Sequence, residues 1–393
     1  MTLRNWGLMI VLMACAFLVV GQLYVTIPLV AGIASEFETS AENAIYVGST
    51  FGIAYAVGFL VFGTLSDRYG RKRVLVLGLT ATSLATVMVG FAPSLGLLLA
   101  ARAAQGFAAA SFPPTALSLV AETLPTKYRP FGLSMMSFSF LSAAPLAQFY
   151  SAQSASSLSV IMLDLAPYYV LGALGLFILI ATTKCATDGE YTPRGELFRS
   201  LVEDPGKLAA WAAALTVLFS FVVFHSGAQA LGDTLNLDLQ VLRLVGLPPL
   251  LLAFAAAPLI RYLGAPSTAQ LGMVVAALSF ALVARGHSTA FMLASIVLSA
   301  GIALTVPSLI ATVASRASHA NRGLALAIYS FTLFLGASIA PPIAQALAKE
   351  SITAMWLLPV TCLLIAAFIM SAAKKRKISI SSEGDSLCST SNP

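Results

Sequence analysis

Twelve stretches of this chain are each apolar for about twenty residues or more, the length an α-helix needs to cross the hydrocarbon core of a bilayer. They fall at 6–34, 43–65, 73–92, 95–121, 130–154 and 160–183, and again at 208–231, 238–262, 268–285, 289–314, 323–348 and 353–373. Hydrophobic residues fill 58% of the 393 positions and charged residues only 10%, with a mean hydropathy of +0.89. Soluble domains carry about 25% charged residues, so the chain is expected to be an all-α, multi-pass membrane protein. The first run is too long for the apolar region of a cleaved signal, and only Arg4 precedes it, so it reads as the first span.

The net charge of +6 sits in short loops and a tail beside apolar spans, which marks topology and not a nucleic-acid footprint. Cytoplasmic termini put Arg4, Arg68, Arg71, Lys72, Arg73, Lys127, Arg129, Arg261, Arg316, Arg322 and the tail lysines on one side. The other keeps Arg285 and Lys349 against Glu36, Glu38, Glu42, Asp233 and Glu350. The expected organisation is a six-helix bundle over 1–183, a polar cytoplasmic linker over 184–207 with a break at Pro205, a second six-helix bundle over 208–373, and a Ser-rich, disordered tail over 374–393. An internal repeat supports two halves: at one constant offset Gly52 falls on Gly246, Leu65 on Leu259, Gly70 on Gly264 and Pro113 on Pro307. The four cysteines form neither a disulfide framework nor a metal set.

Between the second and third runs lies GTLSDRYGRKR, Gly63 to Arg73. Gly63 allows close approach of backbones and Gly70 tolerates positive φ. One acid, Asp67, precedes a basic cluster. The pattern resembles the loop signature of the major facilitator superfamily, and Arg102-Ala-Ala-Gln105-Gly106 in the fourth run resembles that superfamily's second signature. The second half departs from the first: its APLIRYLGA puts Arg261 where Asp67 stands.

The resemblance implies the fold of twelve helices in two pseudo-repeats, with the substrate path between them. It also implies roles. Gly63, Asp67, Gly70, Arg71 and Glu122 would form a conformational gate: Asp67 caps the eleventh helix near Asn321–Gly323, where backbone N–H groups favour an anion, and Arg71 pairs with Glu122. Asp67 and Arg102 would carry proton coupling. Intramembrane arginine is costly and faces an interior or a wet cavity, and Arg102 lies roughly 12 Å deep, about eight residues in. Gln22, Thr26, Arg102, Gln105, His225, Gln229 and Arg243 are the candidate substrate-binding residues. With Asp164 the acid opposing them, the cavity is expected to be neutral to positive and to suit neutral or anionic substrates.

The fifth run lacks the glycine-rich Gly-Pro stretch common in exporters and has Ser142-Ala-Ala-Pro145 instead. The expected function is export of a small metabolite, siderophore or drug by proton antiport, from a monomer in a bacterial-type inner membrane among membrane lipid, with no cofactor, metal or nucleic acid. Proton-coupled uptake of a sugar or organic acid is the alternative, and a non-transporting sensor the remoter one. No nucleophile with a partnered base, metal cluster or phosphate loop points to an enzyme.

Overall fold

The computed structural model describes residues 2–154, 157–180, 203–232, 236–317 and 321–388, with side chains through residue 373. Twelve helices in it are long and apolar enough to cross a membrane: α1 (Leu3–Gly21), α2 (Ala41–Tyr69), α3 (Arg71–Gly90), α4 (Leu95–Thr123), α5 (Arg129–Gln153), α6 (Leu158–Leu179), α7 (Pro205–Ala230), α8 (Leu239–Leu263), α9 (Ala265–Val283), α10 (Ser288–Arg316), α11 (Arg322–Glu350) and α12 (Ile352–Ala373). Their starts are written in short polar side chains that accept from otherwise unpaired first-turn N–H groups. Thr2, Ser40, Ser94 and Ser157 cap α1, α2, α4 and α6, and Asp204 and Asp238 cap α7 and α8.

The helix boundaries depart from the apolar runs at four places. The first run does not continue to residue 34 as one helix: α1 stops at Gly21, the chain turns through Gln22–Thr26, and a 3-10 turn (Ile27–Leu29) leads into a short helix, Val30–Glu36. Pro28 has no N–H to donate, so a continuous helix would lose a rung there. The eighth run is likewise split at Gly246 and the 3-10 stretch Pro248–Leu252. Pro205 is the first residue of α7 and not a break, because proline at that position gives up only an N–H that has no partner anyway. The linker residues 184–202 and Asp233 lie outside the described residues. Finally, the backbone of the last helix runs from Ile352 to Cys388, past the apolar run that ends at 373.

The repeat is visible in geometry. Gly70 (φ 88°, ψ 144°) joins α2 to α3 and Gly264 (φ 84°, ψ 152°) joins α8 to α9, the same backbone conformation in two connections one residue long. A Cβ on Gly78 would strike Ser111, and one on Gly272 would strike Thr305, so α3/α4 and α9/α10 pack through equivalent positions. The halves meet chiefly along α2 with α11 and α5 with α8 and α10. One end of the bundle carries the basic loops α2–α3, α4–α5, α8–α9 and α10–α11, and is called the basic end below.

Candidate functional site: a latch, a buried arginine and two cavities

At the basic end, Gly70 turns α2 straight into α3 and thereby brings Arg71 back over the last turn of α2. Arg71 is buried. Its Nη2 lies 2.5 Å from Asp67 Oδ1 and 3.0 Å from Glu122 Oε1, and its Nη1 donates to Ser66 Oγ at 2.6 Å. Ser66 in turn donates to the Gly63 carbonyl at 3.0 Å. Asp67 therefore faces Arg71 on one side and α11 on the other, where its carboxylate sits against Gly323 so closely that any added Cβ would collide with both oxygens. One turn earlier, Gly63 packs on Ala327 of α11. Glycine at 63 and 323 is what lets the two halves touch with a carboxylate between them.

The second constellation lies inside the first half. Arg102 is fully buried. Its Nε donates to the Val47 carbonyl (3.1 Å), Nη2 to the Gln22 carbonyl (2.8 Å) and Nη1 to Gln105 Oε1 (2.6 Å), and the guanidinium lies 4.4 Å from the Phe51 ring centre. Gln22 Nε2 donates to the Tyr169 hydroxyl (2.8 Å), which donates to the Leu18 carbonyl (2.9 Å), while Gln105 Nε2 donates to Thr86 (2.8 Å). Gly106 permits this: its face touches the Phe51 carbonyl, so α4 lies against the backbone of α2 within reach of Val47. Arg102 is thus a charge satisfied by neutral oxygens, with no carboxylate bonded to it among the described residues. It holds the turn that ends α1.

Two cavities lie between the halves, one at each end. The cavity at the end opposite the basic loops has about 310 Å³ and is lined from α2, α7, α11 and the segment after α1, with Tyr24, Thr26, Ser49, Ser226, Gln229, Ser338 and Gln345 as its polar groups and no charged side chain among the described residues. The cavity at the basic end has about 230 Å³ and is lined from α4, α5, α8, α10 and α11. Between them the interface is closed by Tyr24, Phe140, Phe221, Tyr329 and Phe334, which leave a void of only about 20 Å³. Tyr55 and Phe59 of α2 pack on Phe334 of α11 with ring centres at 5.0 and 5.4 Å.

Of the residues singled out in the sequence, Thr26 and Gln229 line the larger cavity. Arg243, itself buried, stands behind it and donates from Nη2 to Gln229 Oε1 at 3.1 Å. Gln22, Arg102 and Gln105 line neither cavity and belong to the network within the first half. His225 faces Phe221 and Phe224, its Nδ1 3.0 Å from the Phe221 carbonyl, and also lines neither. Sequence reading missed Ser66, Thr86 and Tyr169, and the pair Asp204–Arg316 (2.8 Å), where Arg316 occupies the repeat position of Glu122 with opposite charge. Thr82 and Thr86, four apart on α3, were the one available signal.

The profile of the Major Facilitator Superfamily matches residues 12–260 and 228–386, and the chain belongs to that superfamily. It is 32% identical over 117 residues to the puromycin resistance protein pur8 of Streptomyces alboniger, across 30% of this chain and 23% of that protein. It is 34% identical over 88 residues to the multidrug efflux pump LfrA of Mycolicibacterium smegmatis (22% and 18%), and 30% identical over 119 residues to the probable multidrug resistance protein EmrY of Escherichia coli K12 (30% and 23%). These matches span less than a quarter of each relative's length.

Proposed function

We propose that the protein is a secondary active transporter exporting a small neutral or anionic organic molecule by proton antiport and alternating access. It works as a monomer in an inner membrane of bacterial type, with the basic end and both termini in the cytoplasm. The observation that carries this reading is the pair of cavities between the six-helix halves, separated by a closure to which Tyr24, Phe140, Phe221, Tyr329 and Phe334 contribute. A rocking of the halves that opened one and collapsed the other would move a bound molecule across without ever forming a continuous pore. The placement of the basic loops fits the cytoplasmic assignment, and resistance and efflux functions among the named relatives favour the outward direction.

Asp67 is the acid proposed to couple protons to this motion, a reading supported by its position on the contact between the halves; neutralising it would remove the charge that docks against the start of α11. Arg102 is read as a fixed support of the cavity wall and not as a proton carrier. Among the described residues the lining of the larger cavity is charge-free, with Arg243 behind Gln229, which favours a neutral or anionic substrate over a cation at low dielectric.

Everted membrane vesicles test the reading. An interior made acid should drive accumulation of labelled organic acids or polyhydroxylated neutral compounds inside, and collapse of the gradient should abolish it. Gradient-driven movement in the opposite direction would establish uptake instead, and transport indifferent to the gradient would remove antiport.

A further inference from the structure

The cavity at the basic end is lined by Arg129 at the start of α5 and Arg322 at the start of α11, the equivalent helices of the two halves, together with Ser134 and Ser315. No carboxylate lines it among the described residues. Asp67 and Glu122 are both engaged by Arg71. Arg129 spends its Nε on the Leu124 carbonyl (2.9 Å), and its two terminal nitrogens have no acceptor among the described residues. The Nε of Arg322 is buried without an acceptor among the described residues. Ser134 lines the cavity and is 1% exposed, and its buried hydroxyl also has no partner among the described residues.

Two half-buried arginines line one small space, and beside them the Arg322 Nε and the Ser134 hydroxyl are buried without a partner among the described residues. Those two buried donors are costly when unmet, and the two half-buried positive charges beside them have no carboxylate to answer them among the described residues. A carboxylate or phosphate suits a space lined by two arginines, because guanidinium groups hold such anions through charge-assisted, parallel hydrogen bonds. The volume of about 230 Å³ is below the roughly 300–1,000 Å³ of pockets that enclose a whole drug-sized ligand, so the space suits an anionic head group and not an entire substrate.

We propose that this cavity binds the carboxylate or phosphate of an anionic substrate as it enters from the cytoplasm. The inference rests on the anion-export reading above, but it can be tested without transport. The full chain is placed in nanodiscs of phosphatidylcholine and its thermal midpoint is followed with citrate or inorganic phosphate, against chloride at equal ionic strength. The midpoint should rise with either probe. Arg322→Gln and Arg129→Gln should each weaken the apparent affinity about tenfold or more, Arg322→Lys less, Ser134→Ala a few-fold, and Arg285→Gln not at all. Where a glutamine variant fails to fold, Arg322→Lys and Ser134→Ala carry the comparison. Nanodiscs containing phosphatidylglycerol separate the sources: a rise with that lipid, lost in Arg322→Gln and making soluble anions ineffective, assigns the same arginines to a lipid phosphate. No response to any anion, or an equal response in wild type and Arg322→Gln, overturns the site. Binding without gradient-driven export would sink the transport reading alone. Organic-acid export unchanged in both arginine variants would sink the site alone.

Discussion

Asp67 faces Arg71 one turn along its own chain and Gly323 on the other half, so a single carboxylate ties a local pair to the contact between halves. Its side chain is 26% exposed, against 41% for Glu122. The two acids should therefore differ in weight. Asp67→Asn is expected to lower gradient-driven export about tenfold or more with membrane yield unchanged, read in everted vesicles beside a blot of inserted protein. Gly323→Ala should do the same by displacing the carboxylate, and the double variant should be no worse than either, since neighbours on one contact are not additive; simple additivity would mean that the two residues act separately. Glu122→Gln should cost little, within about twofold, because exposed ion pairs contribute about 0–1 kcal/mol and Arg71 keeps Asp67 and Ser66. The acid and its glycines were legible in the sequence by their spacing. Ser66 was not, because a serine in a helix carries no sign of which arginine will fold back on it.

At the scale of elements, the break after α1 explains why an arginine is tolerated inside the first half. Ending α1 at Gly21 frees the Gln22 carbonyl, and Arg102 of α4 takes it together with the Val47 carbonyl of α2. Three helices are thus fixed to one side chain. Arg102→Gln is expected to fail as a stability variant: hydrogen bonds from a charged donor contribute about 1.5–3 kcal/mol each, so the thermal midpoint and the yield of monodisperse protein should fall together with transport. A variant of wild-type stability that transports normally but without proton dependence would restore the coupling role that the family resemblance attaches to this residue. Hydropathy read the first run as one helix because Pro28 is flanked by apolar residues on both sides. The break depends on where the freed carbonyls find donors, and those come from helices distant in sequence.

For the whole molecule, electrostatics divides between the two ends: one cavity has a neutral lining with Arg243 behind it, and the other has two arginines. Arg243→Ala should weaken export of the true substrate several-fold by releasing Gln229, whereas Arg285→Ala on the far loop should leave it unchanged, and overexpression should protect cells poorly against monocationic dyes such as ethidium. Strong gradient-dependent ethidium efflux that survives Arg243→Ala would show that charge selection lies elsewhere, with Asp164, or Asp233 and the α8 cap Asp238 folded inward, the next acids to test. The sequence by itself determined the number of spans, the repeat and the loop that joins α2 to α3, because each follows from chain-local physics: bilayer thickness, charge beside a span, and a glycine where φ must be positive. Only the tertiary structure decided which intramembrane polar groups face a cavity. Gln22, Arg102, Gln105 and His225 have the same apolar neighbours in sequence as Thr26 and Gln229, and a helix presents a polar side chain to a void or to a partner according to what packs against that face. That packing is set by helices from both halves, which no stretch of one helix encodes.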